Sequence, residues 1–153
     1  MNAKAKKLYG AIRGLRGCFN RLKALASEMH ADLGITASMR AVMETLAEEG
    51  DKTVPEIARI KGVSRQHIQV NVNALLDENL VKLIDNPAHK RSLLVALTKN
   101  GRTAFREMRR REASTLDYLA ADFKADTLDN AAAMLSELNH KLIALEKETE
   151  DHD

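Results

Sequence analysis

The stretch from Thr53 to Leu80, TVPEIARIKGVSRQHIQVNVNALLDENL, constrains the fold more than any other part of this chain. Its punctuation specifies two short helices joined by a tight turn. Thr53 and Glu56 form a T-x-x-E capping box, in which each side chain satisfies a backbone N–H at the helix start. Pro55 falls in the first turn, where its missing N–H deprives the helix of no internal bond. Ile57, Ala58 and Ile60 supply a buried face, and Gly62 allows the positive φ that ends the helix. Val63 is expected as the buried plug of the turn. Ser64 caps the second helix, where Ile68, Val72, Leu75 and Leu76 share one face. The opposite face is expected to carry Arg65, Gln66, His67, Gln69, Asn71 and Asn73. Amide and guanidinium groups match adenine and guanine edges in the major groove, so this face suits reading DNA bases. The pattern is a helix-turn-helix.

A plain helical hairpin with a solvated polar face would show the same signals up to Leu80. The residues beyond it argue for more. Residues 80–84 (LVKLI) read as a short strand, residues 85–90 as a turn-rich tip, and residues 91–97 (RSLLVAL) as a returning strand with Leu93, Val95 and Leu97 inward. A hairpin directly after a helix-turn-helix is a wing. The expected fold class is mainly α with a small β-wing: a winged helix-turn-helix with N- and C-terminal dimerisation helices.

At 153 residues the chain is most simply a single unit. The winged-helix part is expected over 36–98, with dimerisation helices at 5–33 and 99–148. Hydrophobic residues make up 44% and charged residues 30%, and no apolar run reaches the length of a membrane span. The basic N-terminus is followed by no hydrophobic stretch of the kind a secretory signal needs. A single cysteine excludes an internal disulfide framework and fits a reducing cytoplasm.

The net charge of +2 conceals a strong asymmetry. Residues 1–23 hold seven basic groups and no acidic one, and residues 82–111 hold nine against two. Residues 24–81 hold five basic against nine acidic groups, and residues 112–153 hold three against eleven. The wing and the segment after it thus form a basic block, which beside a helix-turn-helix favours phosphate contact.

The end segments carry heptad seams. Leu8, Ile12, Leu15, Phe19, Leu22, Ala26, Met29 and Leu33 alternate four and three apart along a helix expected over 5–33. Gly10, Gly14 and Gly17 each weaken that helix by about 1 kcal/mol relative to Ala, so it needs packing partners. A second helix runs through Ala47, with Met39, Val42, Met43 and Leu46 inward. Thr98 caps a fifth helix, and the last begins near Asp126 with Leu128, Ala131, Leu135, Leu138, Leu142 and Leu145 in register. The acidic end, residues 147–153, is expected to fray. Two such seams exceed what a small winged helix can cover, so a two-fold dimer presenting two recognition helices to a palindrome is the expected assembly. A monomer with its end helices paired is the alternative.

These residues resemble the MarR family of bacterial transcription regulators over nearly the whole chain. The resemblance rests on the ordered set of residues 33–36 (LGIT), 53–58 (TVPEIA), 63–66 (VSRQ), 75–81, 86–92 (NPAHKRS) and 95–101. It implies a cytoplasmic, winged-helix homodimer, usually a repressor of double-stranded DNA operators, often released by a small-molecule effector or an oxidant. By position, Ser64 to Asn73 would lie in the major groove, and His89, Lys90 and Arg91 would form the wing tip near the minor groove. His89 stands where the family usually has Asp. Val70 and Ala74 stand where many relatives carry Arg, so either weaker non-specific binding or more reliance on the N-terminal lysines and Arg106 to Arg111 is expected. Asn79 replaces the usual Gly at the helix end.

Two further classes compete with a DNA-binding regulator. One is a winged-helix protein-interaction dimer without DNA binding. The other is a repressor sensing oxidants through Cys18, with Arg16 and Arg21 nearby; a buried structural cysteine is the expectation there. His30 with Asp32 hints at a metal, but the histidines at 30, 67, 89, 140 and 152 lack ligand spacing, so no metal and no cofactor is expected. Met29, Met39, Met43 and Met108 suit either core packing or an effector pocket. No nucleophile–base pair or phosphate-binding loop appears, so the chain is not expected to be an enzyme.

Overall fold

A computed structural model describes residues 1–150. Along the chain lie α1 (Ala3–Met29), a 3-10 turn (Ala31–Leu33), α2 (Ala37–Glu49), α3 (Val54–Lys61) and α4 (Arg65–Asp77). They are followed by β1 (Val81–Ile84), β2 (Leu94–Leu97), α5 (Lys99–Ala120) and α6 (Ala125–Glu150). This is the winged helix-turn-helix expected of the sequence. The elements divide into two compact units, Met1–Glu112 and Ala113–Asp153.

In the first unit, local chemistry sets each boundary. The Thr53 capping box forms in full: Thr53 N–H donates to Glu56 Oε2 at 2.7 Å, and Glu56 N–H donates to Thr53 Oγ1 at 3.4 Å. Gly62 ends α3 with φ of 63°. Gly62 N–H reaches Arg59 O and Val63 N–H reaches Ala58 O, the paired bonds of a Schellman motif. Ser64 Oγ accepts from His67 N–H at 3.1 Å and starts α4. The same closing motif recurs at the end of α4, where Asn79 takes φ of 55° in place of a glycine. Asn79 N–H bonds Leu76 O and Leu80 N–H bonds Leu75 O, both at 2.9 Å.

β1 and β2 pair antiparallel, with Val81 opposite Leu97 and Ile84 opposite Leu94. Lys52 adds a separate antiparallel rung to β2: Val95 N–H donates to Lys52 O at 2.8 Å and Lys52 N–H to Val95 O at 3.3 Å. The core gathers Met39, Val42, Met43 and Leu46 of α2 with Ile57 and Ala58 of α3 and Ile68, Val72 and Leu75 of α4. Val81, Val95 and Leu97 of the wing and Phe105 and Met108 of α5 close it. Met39, Met43 and Met108 are therefore core residues.

Several expectations are corrected. The first helix stops at Met29, because His30 leaves helical geometry and hands the chain to the 3-10 turn. Ile60 and Val63 are exposed at 40% and 41%, since the eight-residue α3 buries only the stripe at Ile57 and Ala58. The role of Val63 is its backbone bond in the Schellman motif. Leu93 is exposed and precedes β2, whose buried run is Val95, Ala96 and Leu97. Cys18 is exposed in this chain. Part of the acidic tail, residues 151–153, lies outside the described residues.

A glycine closes the junction between wing and α5. An added Cβ on Gly101 would lie 1.9 Å from Leu80 O and 3.2 Å from Leu97 Cδ2. Thr98 holds this approach: its Oγ1 donates to Asn79 O at 2.8 Å and accepts from Gly101 N–H at 2.9 Å. The nearest atom is a backbone carbonyl, so the strain cannot be relieved by a rotamer.

Charges tie the helices of this unit together. Glu112 accepts from His30 Nε2 at 2.9 Å and from both Nε and Nη2 of Arg40, the latter at 2.7 Å. Arg40 also reaches Glu44 at 3.1 Å, and Lys61 reaches the other oxygen of Glu44 at 3.2 Å. The chain of contacts runs from the end of α1 through α5 and α2 to α3. Burial pushes the Glu112 carboxyl up, but its hydrogen bonds from Arg40 and His30 outweigh this and hold it below the usual carboxylate range. Glu44 behaves likewise, with burial outweighed by Arg40 and Lys61. His30 is 1% exposed, and its Nδ1 has no hydrogen-bond partner.

The second unit holds the last residues of α5 and the described part of α6. Ala120 O accepts from Phe123 N–H at 3.0 Å in the turn between them. Leu128, Leu135, Leu142 and Leu145, from the seam read in the sequence, are exposed along α6.

Two outcomes are expected. Gly101→Ala should lower unfolding stability by about 1–3 kcal/mol, as overpacking against fixed backbone does; urea denaturation measures it. The ion pairs of Glu112 and Glu44 have carboxylate values depressed in the fold. Their contribution is full above the unfolded value of 4.5 and is lost as pH falls through the folded values. Glu112→Gln should therefore destabilise at pH 7 and make the urea midpoint fall less steeply between about pH 5 and pH 3 than in the wild type.

Candidate nucleic-acid interface

α4 is built so that one face is spoken for and the other is open. Ile68, Asn71, Val72 and Leu75 share the buried face. The helical phase then turns Arg65, Gln66, His67, Gln69 and Asn73 outward, and all five are exposed. Ser64, at the cap, is exposed as well. Asn71, expected among the outward amides, is instead 8% exposed. Its Nδ2 donates to His67 O at 2.7 Å, which satisfies the polar group one turn back on its own helix. Val70 takes the outward place, at 62% exposure. Polarity alone misassigns these two neighbours; helical phase decides them.

On the open face, Gln69 Nε2 donates to Asn73 Oδ1 at 2.9 Å. Two amides at i and i+4 thus hold each other in place before any ligand arrives.

The wing tip brings His89, Lys90 and Arg91 to the surface. Asn86 organises it: its Oδ1 accepts from Ala88 N–H at 3.0 Å, an Asx turn, and its carbonyl accepts from His89 N–H at 3.2 Å. Ser92 N–H then donates to His89 O at 3.1 Å. Backbone bonds of the turn, rather than a carboxylate beside the cations, shape this tip.

A groove of about 520 Å³ separates the wing from α4. Its lining includes Pro55 of α3, Arg65, Gln66 and Gln69 of α4, and Leu83 and Arg91 of the wing. Cations stand on both banks over an apolar floor. A sugar–phosphate strand laid along such a groove would meet a guanidinium from each side.

The basic segment of α5 is less available than its composition suggests. Arg110 is held by Glu107 through two contacts of 2.8 Å. Arg111 bridges Glu107 at 2.9 Å and Asp32 at 2.6 Å. Hydrogen bonds from Arg110 and Arg111 lower Glu107 to about 2. Arg106 and Arg109 are exposed, as are Lys4, Lys6 and Lys7. His30 and Asp32 are engaged separately, with Glu112 and Arg111. Among the described residues no cluster of three or more His, Cys, Asp or Glu could hold a metal ion. No helix among them is long and apolar enough to cross a membrane.

Sequence reasoning misses the Lys52 rung, the Glu112 hub and the outward place of Val70. The first two join residues far apart in the chain and leave no local signal. The third is available from the spacing of Ile68, Val72 and Leu75.

Comparison with known proteins bears on the same surfaces. Residues 33–92 match the MarR family model. An uncharacterized protein of Mycobacterium tuberculosis is 37% identical over 98 residues, covering 63% of this chain; the match spans 65% of that relative's length. The crystal structure of a MarR family transcription regulator superposes with a TM-score of 0.77 at 23% identity, covering 94% of this chain and 95% of that one. A mutant MarR from E. coli, complexed with operator DNA, gives a TM-score of 0.74 at 20% identity over 86% of this chain and 95% of that one. At these identities the solved structures establish the shared fold.

Proposed function

Residues 33–92 belong to the MarR family and the chain carries that family's fold; from this premise we propose that the protein is a sequence-specific regulator of transcription that binds double-stranded DNA as a homodimer. One observation carries the reading. The exposed face of α4 is a continuous set of hydrogen-bonding side chains, Arg65, Gln66, His67, Gln69 and Asn73, standing across a groove from the wing cation Arg91. A face that served only solubility would not need amides held in register on a capped helix beside a structured basic hairpin. The related MarR from E. coli, whose structure was solved with operator DNA, supports the same use of the fold.

In this reading Arg65, Gln66, His67 and Gln69 meet base edges in the major groove, with Asn73 beside them and Ser64 at the backbone. His89, Lys90 and Arg91 meet the flanking phosphates or the minor groove. Asn71 supports the helix from behind. The winged-helix part spans 36–98, and the segments 5–33 and 99–148 serve dimerisation. Exposed apolar seams favour the dimer: Leu8, Leu15, Phe19 and Leu22 on α1 and Leu128, Leu135 and Leu142 on α6 all lie open in the single chain. Soluble chains rarely leave such contiguous apolar strips uncovered. Two-fold pairing would set the recognition helices about 34–36 Å apart, one turn of the duplex. The resemblance extends the proposal to a repressor released by a small-molecule effector. The Glu112 hub, linking the end of α1 and α5 to α2, is a physical route by which the end helices would bear on the winged helix.

A footprint on duplexes from around the protein's own coding region tests the proposal. Arg65→Ala should weaken specific binding by about 1–3 kcal/mol. Lys90→Ala should weaken all duplexes alike and lower the salt slope by about 1. Equal binding by wild type and both variants would take Arg65 and Lys90 out of the interface and favour a protein-interaction role; no footprint by wild type would overturn the DNA reading. Phe19→Glu should shift the sedimenting species from dimer toward monomer; an unchanged species distribution would argue against pairing through α1.

A further inference from the structure

The open face of α4 is polar, yet only part of it is fixed in orientation. Gln69 and Asn73 lie one turn apart, and both are exposed. Gln69 Nε2 donates to Asn73 Oδ1 at 2.9 Å. A lone glutamine amide rotates about its last torsion and offers a base its carbonyl or its NH₂ interchangeably. The pair sets Asn73 Oδ1, an acceptor, against the NH₂ end of Gln69. One Nε2 hydrogen is then committed to Asn73. The other hydrogen and Oε1 are the pair left for a base.

That pair complements one base edge in particular. In the major groove adenine presents an acceptor, N7, beside a donor, the N6 amino group. Guanine presents acceptors at both places, N7 and O6, so a fixed Oε1 would face the O6 lone pairs. Cytosine and thymine lack N7. The neighbours on the helix do not duplicate this function. Val70 is outward but has no polar atom, and Asn71 is buried with its amide on His67 O. Arg65 carries only donors and suits guanine.

We infer that Gln69 reads one adenine in each half-site and that Asn73 is a positioning residue, which fixes the Gln69 amide for adenine over guanine. The inference rests on the DNA-binding reading above and narrows it to a base and a residue pair.

The experiment selects duplexes from a random pool with the full-length protein, then measures affinity for the selected site and base-substituted versions of it. Wild type should enrich adenine at one position per half-site, related by the two-fold axis. Replacing that adenine by guanine or by 7-deazaadenine should weaken binding about tenfold. Gln69→Ala should bind the three duplexes within about twofold of one another, with preferences at other positions intact. Asn73→Ala should keep the position but reduce the adenine-over-guanine ratio to about threefold. Asn73→Asp keeps an acceptor at that place and should restore the ratio, even as its charge weakens all duplexes alike. Both residues are exposed, and circular dichroism checks that the variants fold.

An adenine preference that survives Gln69→Ala overturns the inference. So does an Asn73→Ala variant that loses preference at a different position, because Asn73 would then itself be a reader. In both cases the selected operator still exists and the DNA-binding reading stands. If wild type enriches no sequence, that broader reading fails and takes this one with it.

Discussion

The interface depends on the burial of one stripe of α4. Ile68, Val72 and Leu75 are within a few per cent of full burial, against α2 and the other elements of the same core. Fully burying a side chain of this kind is worth about 1.5–3 kcal/mol relative to exposure. A helix held by three such residues cannot rotate by one position without exposing them. The direction of every outward side chain follows from that lock. Arg65, Gln66, Gln69 and Asn73 face solvent because their neighbours have been claimed by the core.

The ends of α4 are fixed by backbone chemistry of a different kind. Ser64 captures an orphan N–H at the start, and Asn79 turns left-handed at the finish. The finish is then joined to the wing and to α5 through Thr98 and the space kept open by Gly101. α4, the wing and the start of the long helix after it are thus one mechanical piece. This rigidity suits reading DNA, since side chains held in place before contact lose less entropy on binding. The Gln69–Asn73 pair is the same device at the scale of two amides.

Electrostatics adds a second layer that composition hides. Much of the basic segment at 102–111 is engaged within the protein, Arg110 on Glu107 and Arg111 on Glu107 and Asp32. The exposed ion pairs contribute little to stability individually. Their effect is to remove cations from the exposed basic surface. The Glu112 cluster differs, being partly buried and shared with His30 and Arg40. Removing one member would strand the charge of the others. It joins the end of the seam-bearing α1 to the winged helix.

The local elements were legible in the sequence because their signals are local. Thr53 with Glu56, Gly62, Ser64 and the spacing of Ile68, Val72 and Leu75 determine helix, turn and helix through bonds and burial within a few residues. The strands on either side of Asn86 and Pro87 announce a hairpin in the same way. What tertiary structure decided lies between distant residues. Only the meeting of the α1 end with α2 and α5 gathers His30, Arg40 and Glu112. Only the approach of Leu80 to α5 explains Gly101. Capping and periodicity act over one or two helical turns, so a sequence displays them directly. Contacts across dozens of positions depend on how the chain comes back on itself, and that is settled by packing the whole unit at once.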